Sequence, residues 1–221
     1  MLEKTRGIVL HTLRYNDTSL IVDIFTESHG ALGFMVRTLN GRKSVVRNVL
    51  LSPLSVLELD FDYRESQNLQ RLNDVRVSEP YNSLPYHPVK ETIALFLGEF
   101  LYYGLRNEGA NDALFSFLLN SMLWLDNRDK GFANFPATLL IRLTRFLGIW
   151  PNEEEARKVL RYEEVPLVPL MLRMNYGTMH VFHFSSEQRA RLMQVLNDYY
   201  RLHVPGFPEL RSMAILREVL S

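Results

Sequence analysis

The sequence predicts an α+β chain: a small five-stranded β-barrel at the N-terminus followed by an all-helical domain. Three observations predict it. Apolar residues recur with a period of two up to about residue 77, a proline-rich stretch interrupts them, and beyond it they recur with a helical period. A length of 221 residues allows one to two domains. The expected division is a barrel over residues 1–78, a linker over 79–88 and a helical domain over 89–221.

The strands come first. Between Leu57 and Tyr63 the odd positions are Leu57, Leu59, Phe61 and Tyr63, and the even ones are Glu58, Asp60 and Asp62. Strict alternation marks a strand with one buried and one wet face. Leu20, Val22 and Ile24 repeat the pattern less purely, and Leu32, Phe34 and Val36 repeat it after the turn-like Glu27-Ser28-His29-Gly30. Strands around Thr5–Arg14 and Leu69–Val77 complete five. Five short, mostly hairpin-linked strands suggest an OB barrel first and an SH3-like barrel second.

Pro80, Pro85 and Pro88, with Asn82 and Ser83, then break the pattern. Ile93, Phe96, Leu97, Phe100, Leu101 and Leu105 form a helical stripe. Asn111 or Asp112 can cap a second helix carrying Phe117, Leu118, Ser121, Met122 and Leu125. Pro136 suits the first turn of a third, which Gly148 ends. Asn152 with Glu153, Glu154 and Glu155 reads as a capped start, its anions against the positive helix end. Ser185 and Gln188 form a capping-box pattern ahead of a helix reaching His203. Val204 to Pro208 breaks that helix, and Glu209–Leu220 can form the last one. Arg161–Phe184 is the least readable segment.

Composition excludes several classes of function. Twenty-five basic residues balance twenty-five acidic ones, so a strongly cationic DNA-coating protein is excluded and any nucleic-acid role rests on a local patch. With no cysteine there is no disulfide, no thiolate nucleophile and no Cys-ligated zinc. Met1–Arg14 lacks a signal-peptide core, and the apolar run Ile93–Leu105 is too short for a bilayer and broken by Glu99. The expectation is a soluble intracellular protein that needs no cofactor and no membrane.

Catalytic motifs are absent: the sequence has no phosphate-cradling Gly-Lys loop, nucleophile elbow or dinucleotide fingerprint. Gly30 and Gly33 read as hairpin glycines. His180, His183 and Glu187 could ligate a metal in a hydrolase, but Thr178–Phe184 reads as extended, which sends residues three apart to opposite faces. The expected metal-site content is therefore none, as is the expected catalytic content.

Charge patterning is more informative. From Ser28 to Leu57 there is no Asp or Glu, yet Arg37, Arg42, Lys43 and Arg47 all occur there. Phosphate oxygens need several donors, which Arg supplies as a fork. On an OB barrel, strands two and three and the neighbouring loops form the usual nucleic-acid face, so these four cations, with Tyr15 and Phe34 as stacking candidates, are the expected nucleic-acid site. A merely solvated loop would show the same charge pattern. The parity of Phe34 with Leu32 and Val36 also fits core packing. In the helical half, Arg142 and Arg145 lie three apart beside Leu139, Leu140 and Leu143, a pattern suited to an acidic, apolar-ended peptide or to snorkelling at the core's edge.

The sequence resembles the RecO family of bacterial DNA-repair recombination mediators over essentially its whole length. The resemblance is carried by Lys4–Leu10, Tyr15–Val22, Met35-Val36-Arg37 running on to Arg42-Lys43-Ser44, Leu51–Leu59, Tyr199–His203 and Leu210-Arg211-Ser212, in that order. It implies an N-terminal OB domain and a C-terminal helical domain. It further implies binding of single- and double-stranded DNA, annealing of complementary strands, and contact with the C-terminal tail of single-stranded-DNA-binding protein. Work with RecR to load RecA, and a cytoplasmic, nucleoid-associated location, are also implied. None of this needs nucleotide hydrolysis. Two departures stand out: the four-cysteine zinc site of many relatives is absent, and Thr38–Asn40 leave the basic stretch sparser than usual. The rival readings are an OB-type module for RNA or protein and the metal-dependent hydrolase.

Overall fold

A computed structural model describes residues 2–37, 50–151, 154, 169 and 172–220. Arg42, Lys43, Arg47 and most of the expected helix start at 152–155 lie outside the described residues. Five strands run β1 Leu2–Asn16, β2 Ser19–Thr26, β3 Gly30–Arg37, β4 Val56–Asp62 and β5 Leu69–Glu79. They close a barrel in the order β1-β2-β3-β5-β4. The first three form an antiparallel meander, β4 returns to lie beside β1, and β3 pairs with β5 in parallel. A fourth strand returning beside the first is the Greek-key connection of an OB barrel.

The alternation in the sequence builds the barrel interior. Val9, Val22, Ile24, Phe34, Val36, Leu57, Leu59 and Phe61 fill it, all buried. Ile8, Leu10, Phe25 and Val56 point the other way and join the core of the helical half. Barrel and helices therefore share one apolar core across their junction, which apolar burial at about 25 cal/mol per Å² stabilises.

The described helices are α1 Pro88–Leu105, α2 Asp112–Asp126, α3 Phe135–Phe146, α4 Ser186–His203 and α5 Ser212–Val219. The first four starts have local causes. Pro88 and Pro136 occupy first turns, the Asn111 side chain accepts from Leu114 N, and Ser185 with Gln188 makes the expected capping box. The last helix is shorter than expected, beginning at Ser212. Glu99 explains where it starts: its carboxylate accepts from Arg211 N at 3.1 Å, Ser212 N at 2.9 Å and the Ser212 hydroxyl. The residue that interrupts the apolar run of α1 thus satisfies orphan donors at another helix's start. Thr178–Phe184, read as extended, instead winds into a single 3-10 turn at Met179–Val181.

α1 lies against β1 at close range. A Cβ on Gly98 would stand 2.8 Å from Pro53 Cβ and 2.9 Å from Leu10 O, so only a hydrogen fits there. Gly30 (φ 73°) opens β3 beside the α1–α2 loop, where a Cβ would meet Glu108 O at 2.2 Å; the following Ala31 N donates to that oxygen at 3.0 Å. Polar pairs add to the junction. Arg6 grips Glu27 through two bonds of 2.9 and 2.6 Å, and its guanidinium lies 5.3 Å over the Phe115 ring. The segment between barrel and α1 is pinned as well. The Asp126 carboxylate accepts from Asn82 N, Ser83 N and Leu84 N at 2.7–2.9 Å, and buried Lys90 donates to Asp126 O at 2.9 Å and to Ser83 Oγ at 2.5 Å.

Candidate nucleic-acid interface

On the outside of the barrel, strand register lines up a row that crosses four strands. Leu13 pairs with Ile21, Ile21 with Met35 and Met35 with Arg71. These residues alternate with the interior set, so they share the outer face. The row is wet although three of its four members are apolar: Leu13 is 52% and Met35 38% exposed, and Arg71 is exposed as well. Arg37 follows two residues beyond Met35 on the same strand face, exposed and opposite Ser19. Asp62 stands opposite Arg71 on the far side, so the positive end of the face is the Arg37 end.

Tyr15 belongs to this neighbourhood. It is the extra residue where the β1–β2 register shifts between Arg14 and Asn16, and it is 61% exposed. A bulge re-aims a side chain in this way. Its ring has a free approach, which base stacking needs. Phe34 does not. The expectation that it stacks a base is corrected here: Phe34 is fully buried and meets Phe61 edge-on at 5.1 Å inside the barrel. Its parity with Val36 governs its direction, and a ring whose edges and faces are covered by core cannot meet a nucleotide. Of the four expected cations, the described residues include Arg37 alone.

The sequence reading missed Leu13, Ile21, Met35 and Arg71. A weak signal existed in the alternation of Ser19, Ile21 and Asp23 against Leu20, Val22 and Ile24. The juxtaposition of Met35 with Arg71 depends on a parallel pairing between distant segments, and no local pattern carries it.

The helical half presents the second candidate site. Leu139, Leu140 and Leu143 of α3 are buried, Arg142 is half-buried and Arg145 is exposed. Arg145 lies 3.8 Å over the Trp150 ring. Desolvation lowers the pKa of Arg142, the charge of Arg145 lowers it further, and Tyr176 acts in the opposite sense. Phe117 stacks on Phe146 at 4.8 Å, and the Tyr176 hydroxyl donates to Ser121 Oγ at 2.6 Å. The two arginines therefore edge an aromatic surface, and neither forms an ion pair with another described residue. His180, His183 and Glu187 build no ligand set; among the described residues no three His, Asp or Glu side chains gather around a metal position.

Strand order, outer-face row and appended helices define the class: an OB-barrel protein with a helical unit packed on its outer side. Residues 1–81 match the family described as Recombination protein O N terminal, and residues 87–155 match Recombination protein O C terminal. A DNA repair protein RecO from Phocaeicola vulgatus is 45% identical over 241 aligned positions, covering all of both chains. Those of Bacteroides fragilis and Flavobacterium psychrophilum are 41% and 31% identical, each over 99% of both chains. The chain belongs to the RecO family. Among the described residues no helix is long and apolar enough to cross a membrane.

Proposed function

We propose that this chain is a DNA-repair recombination mediator that works without catalysing a reaction of its own. The barrel, with the segment carrying Arg42, Lys43 and Arg47, holds the DNA backbone of single and double strands. Arg37 and Arg71 contribute phosphate contacts, Tyr15 stacks a base, and Leu13, Ile21 and Met35 cover the apolar faces of others. The helical half holds the acidic tail of single-stranded-DNA-binding protein through Arg142 and Arg145. In this reading the chain anneals complementary strands and, with RecR, helps load RecA onto coated DNA, at the cytoplasmic nucleoid. The division of roles falls at residues 79–88, between a barrel over 1–78 and a helical domain over 89–221.

One observation carries the reading: the solvent-facing row Leu13–Ile21–Met35–Arg71, with Arg37 and Tyr15 beside it, on the strand face that OB barrels use for nucleic acid. Phosphate contacts hold strands without reading sequence, which is what annealing of arbitrary complements requires. The test is a titration of single-stranded DNA, double-stranded DNA and RNA at several salt concentrations. The proposal expects DNA affinity that falls with salt and depends little on sequence. Affinity for RNA alone, or none for nucleic acid, would favour the rival OB-type RNA- or protein-binding module.

A further inference from the structure

We infer that a groove between the β4–β5 seam and α1 docks a protein segment in which an apolar side chain sits beside a Lys or Arg. The groove encloses about 300 Å³ and is walled by Val77, Leu84, Tyr86 and Leu95. That volume is at the small end of ligand pockets, so it takes one or two side chains of an extended segment. Three of its wall residues are large apolar groups left in water, Tyr86 most of all at 80% exposure. An apolar patch gathered around a concavity marks an interaction site more than scattered surface apolar residues do.

Charge selects the occupant. Among the described residues, the ionisable carboxylates lining the groove are Glu79 and Glu91, and no described Lys, Arg or His lines it. The field of Glu79 reaches as far as Arg6, whose pKa it helps raise, after the larger contribution of the Glu27 bond. A phosphate backbone or an acidic tail would meet two like charges here. A segment with a basic residue next to its apolar anchor would fill the groove and neutralise its rim. Nucleic acid is therefore directed elsewhere, and Arg71 and Glu79 are eight positions apart on β5, roughly 26 Å at 3.3 Å per residue.

The groove is built before anything enters it. Its floor includes Tyr81, whose hydroxyl donates to Leu54 O at 2.7 Å. Burial, with the charges of Asp126 and Glu79, raises the Tyr81 pKa, so the phenol keeps the proton it donates. Leu54 holds φ 66° there, an unfavourable backbone for a non-glycine residue, and its N–H donates to Val9 O at 2.7 Å. A preformed floor lowers the ordering cost of docking.

The experiment uses the full isotope-labelled chain and two capped short peptides, one with a leucine between two arginines and one with the arginines replaced by glutamates. The basic peptide is expected to move backbone amide resonances within residues 77–95, and the acidic one to leave them in place. The paired change Glu79→Gln and Glu91→Gln should weaken basic-peptide binding roughly tenfold, the effect of two exposed ion pairs, with single-strand DNA affinity unchanged. Leu95→Ser, at an exposed position, should weaken it as well. Equal response to both peptides, resonance changes elsewhere, or undiminished binding in the Gln pair would overturn the inference. Because DNA affinity is read separately, failure here and failure of the DNA reading are distinguishable.

Discussion

Met35 of β3 and Arg71 of β5 are direct partners across the barrel's one parallel strand pair, and both side chains are exposed. The pairing sets a cation at the end of an apolar row on the outer face, where a single strand can lay bases on Met35 and Ile21 and a phosphate against the guanidinium.

Replacing Arg37 and Arg71 together by Ala should make the slope of log K against log salt shallower by about 1.4 on single strands, since each phosphate contact contributes roughly 0.7. The paired change Arg42→Ala and Lys43→Ala should give a loss of the same size, alike for all sequences. Both arginines in the first pair are exposed, so its melting temperature should stay put. Unchanged slopes in both pairs would remove this face and its adjoining segment from the DNA site.

The two aromatic candidates should separate by phenotype. Tyr15→Ala should cost about 1–3 kcal/mol of single-strand binding, Tyr15→Phe much less, and neither should affect unfolding. Phe34→Ala should instead cost about 3–5 kcal/mol of stability through the cavity it opens beside Phe61. Equilibrium unfolding alongside fluorescence titration reads both. A stable Phe34→Ala that binds DNA poorly would contradict the core assignment.

The barrel was legible because β4 alternates strictly and because the stripe Ile93–Leu105 has an unmistakable helical period. Caps at Asn111 and Ser185 were legible for the same reason: they are local chemistry. Facing on β1 was not. Register shifts between Val9 and His11 and between Arg14 and Asn16 reset the alternation, and a period of two read through a bulge misplaces every later side chain. Phe34 was ambiguous in a similar way, since the same ring suits a core or a base. The short α5 was hidden because Glu99, more than one hundred positions earlier, fixes its start.

Asp126 anchors the segment leading to α1, and removing it should be costly. Asp126→Ala leaves the N–H groups of Asn82, Ser83 and Leu84 without their acceptor and removes a carboxylate charge that favours buried Lys90. A buried donor left unsatisfied costs about 1–3 kcal/mol, read in urea unfolding at neutral pH. Burial alone would raise the Asp126 pKa, but the N–H groups of Asn82, Ser83 and Leu84 outweigh it and hold the carboxyl below its ordinary value. An unfolded Asp titrates at about 3.9. The stabilisation is therefore fully present above that value and is lost as pH falls through the lower folded-state pKa. The variant should show a flatter acid limb; an unaltered stability–pH curve would sink this account.

For the helical half, replacing Arg142 and Arg145 by Ala should weaken binding of the tail peptide of single-stranded-DNA-binding protein by about 1.5–3 kcal/mol in total, from lost charge-assisted bonds. Isothermal calorimetry with the isolated peptide reads this directly. Full affinity in the double variant would place the tail on another surface.

Annealing of complementary oligonucleotides, each coated with single-stranded-DNA-binding protein, tests the mediator reading most directly. The chain should accelerate duplex formation in the absence of any nucleotide, and the Arg37→Ala, Arg71→Ala variant should lose most of that acceleration while remaining folded. Annealing no faster with the chain than without it would contradict the account.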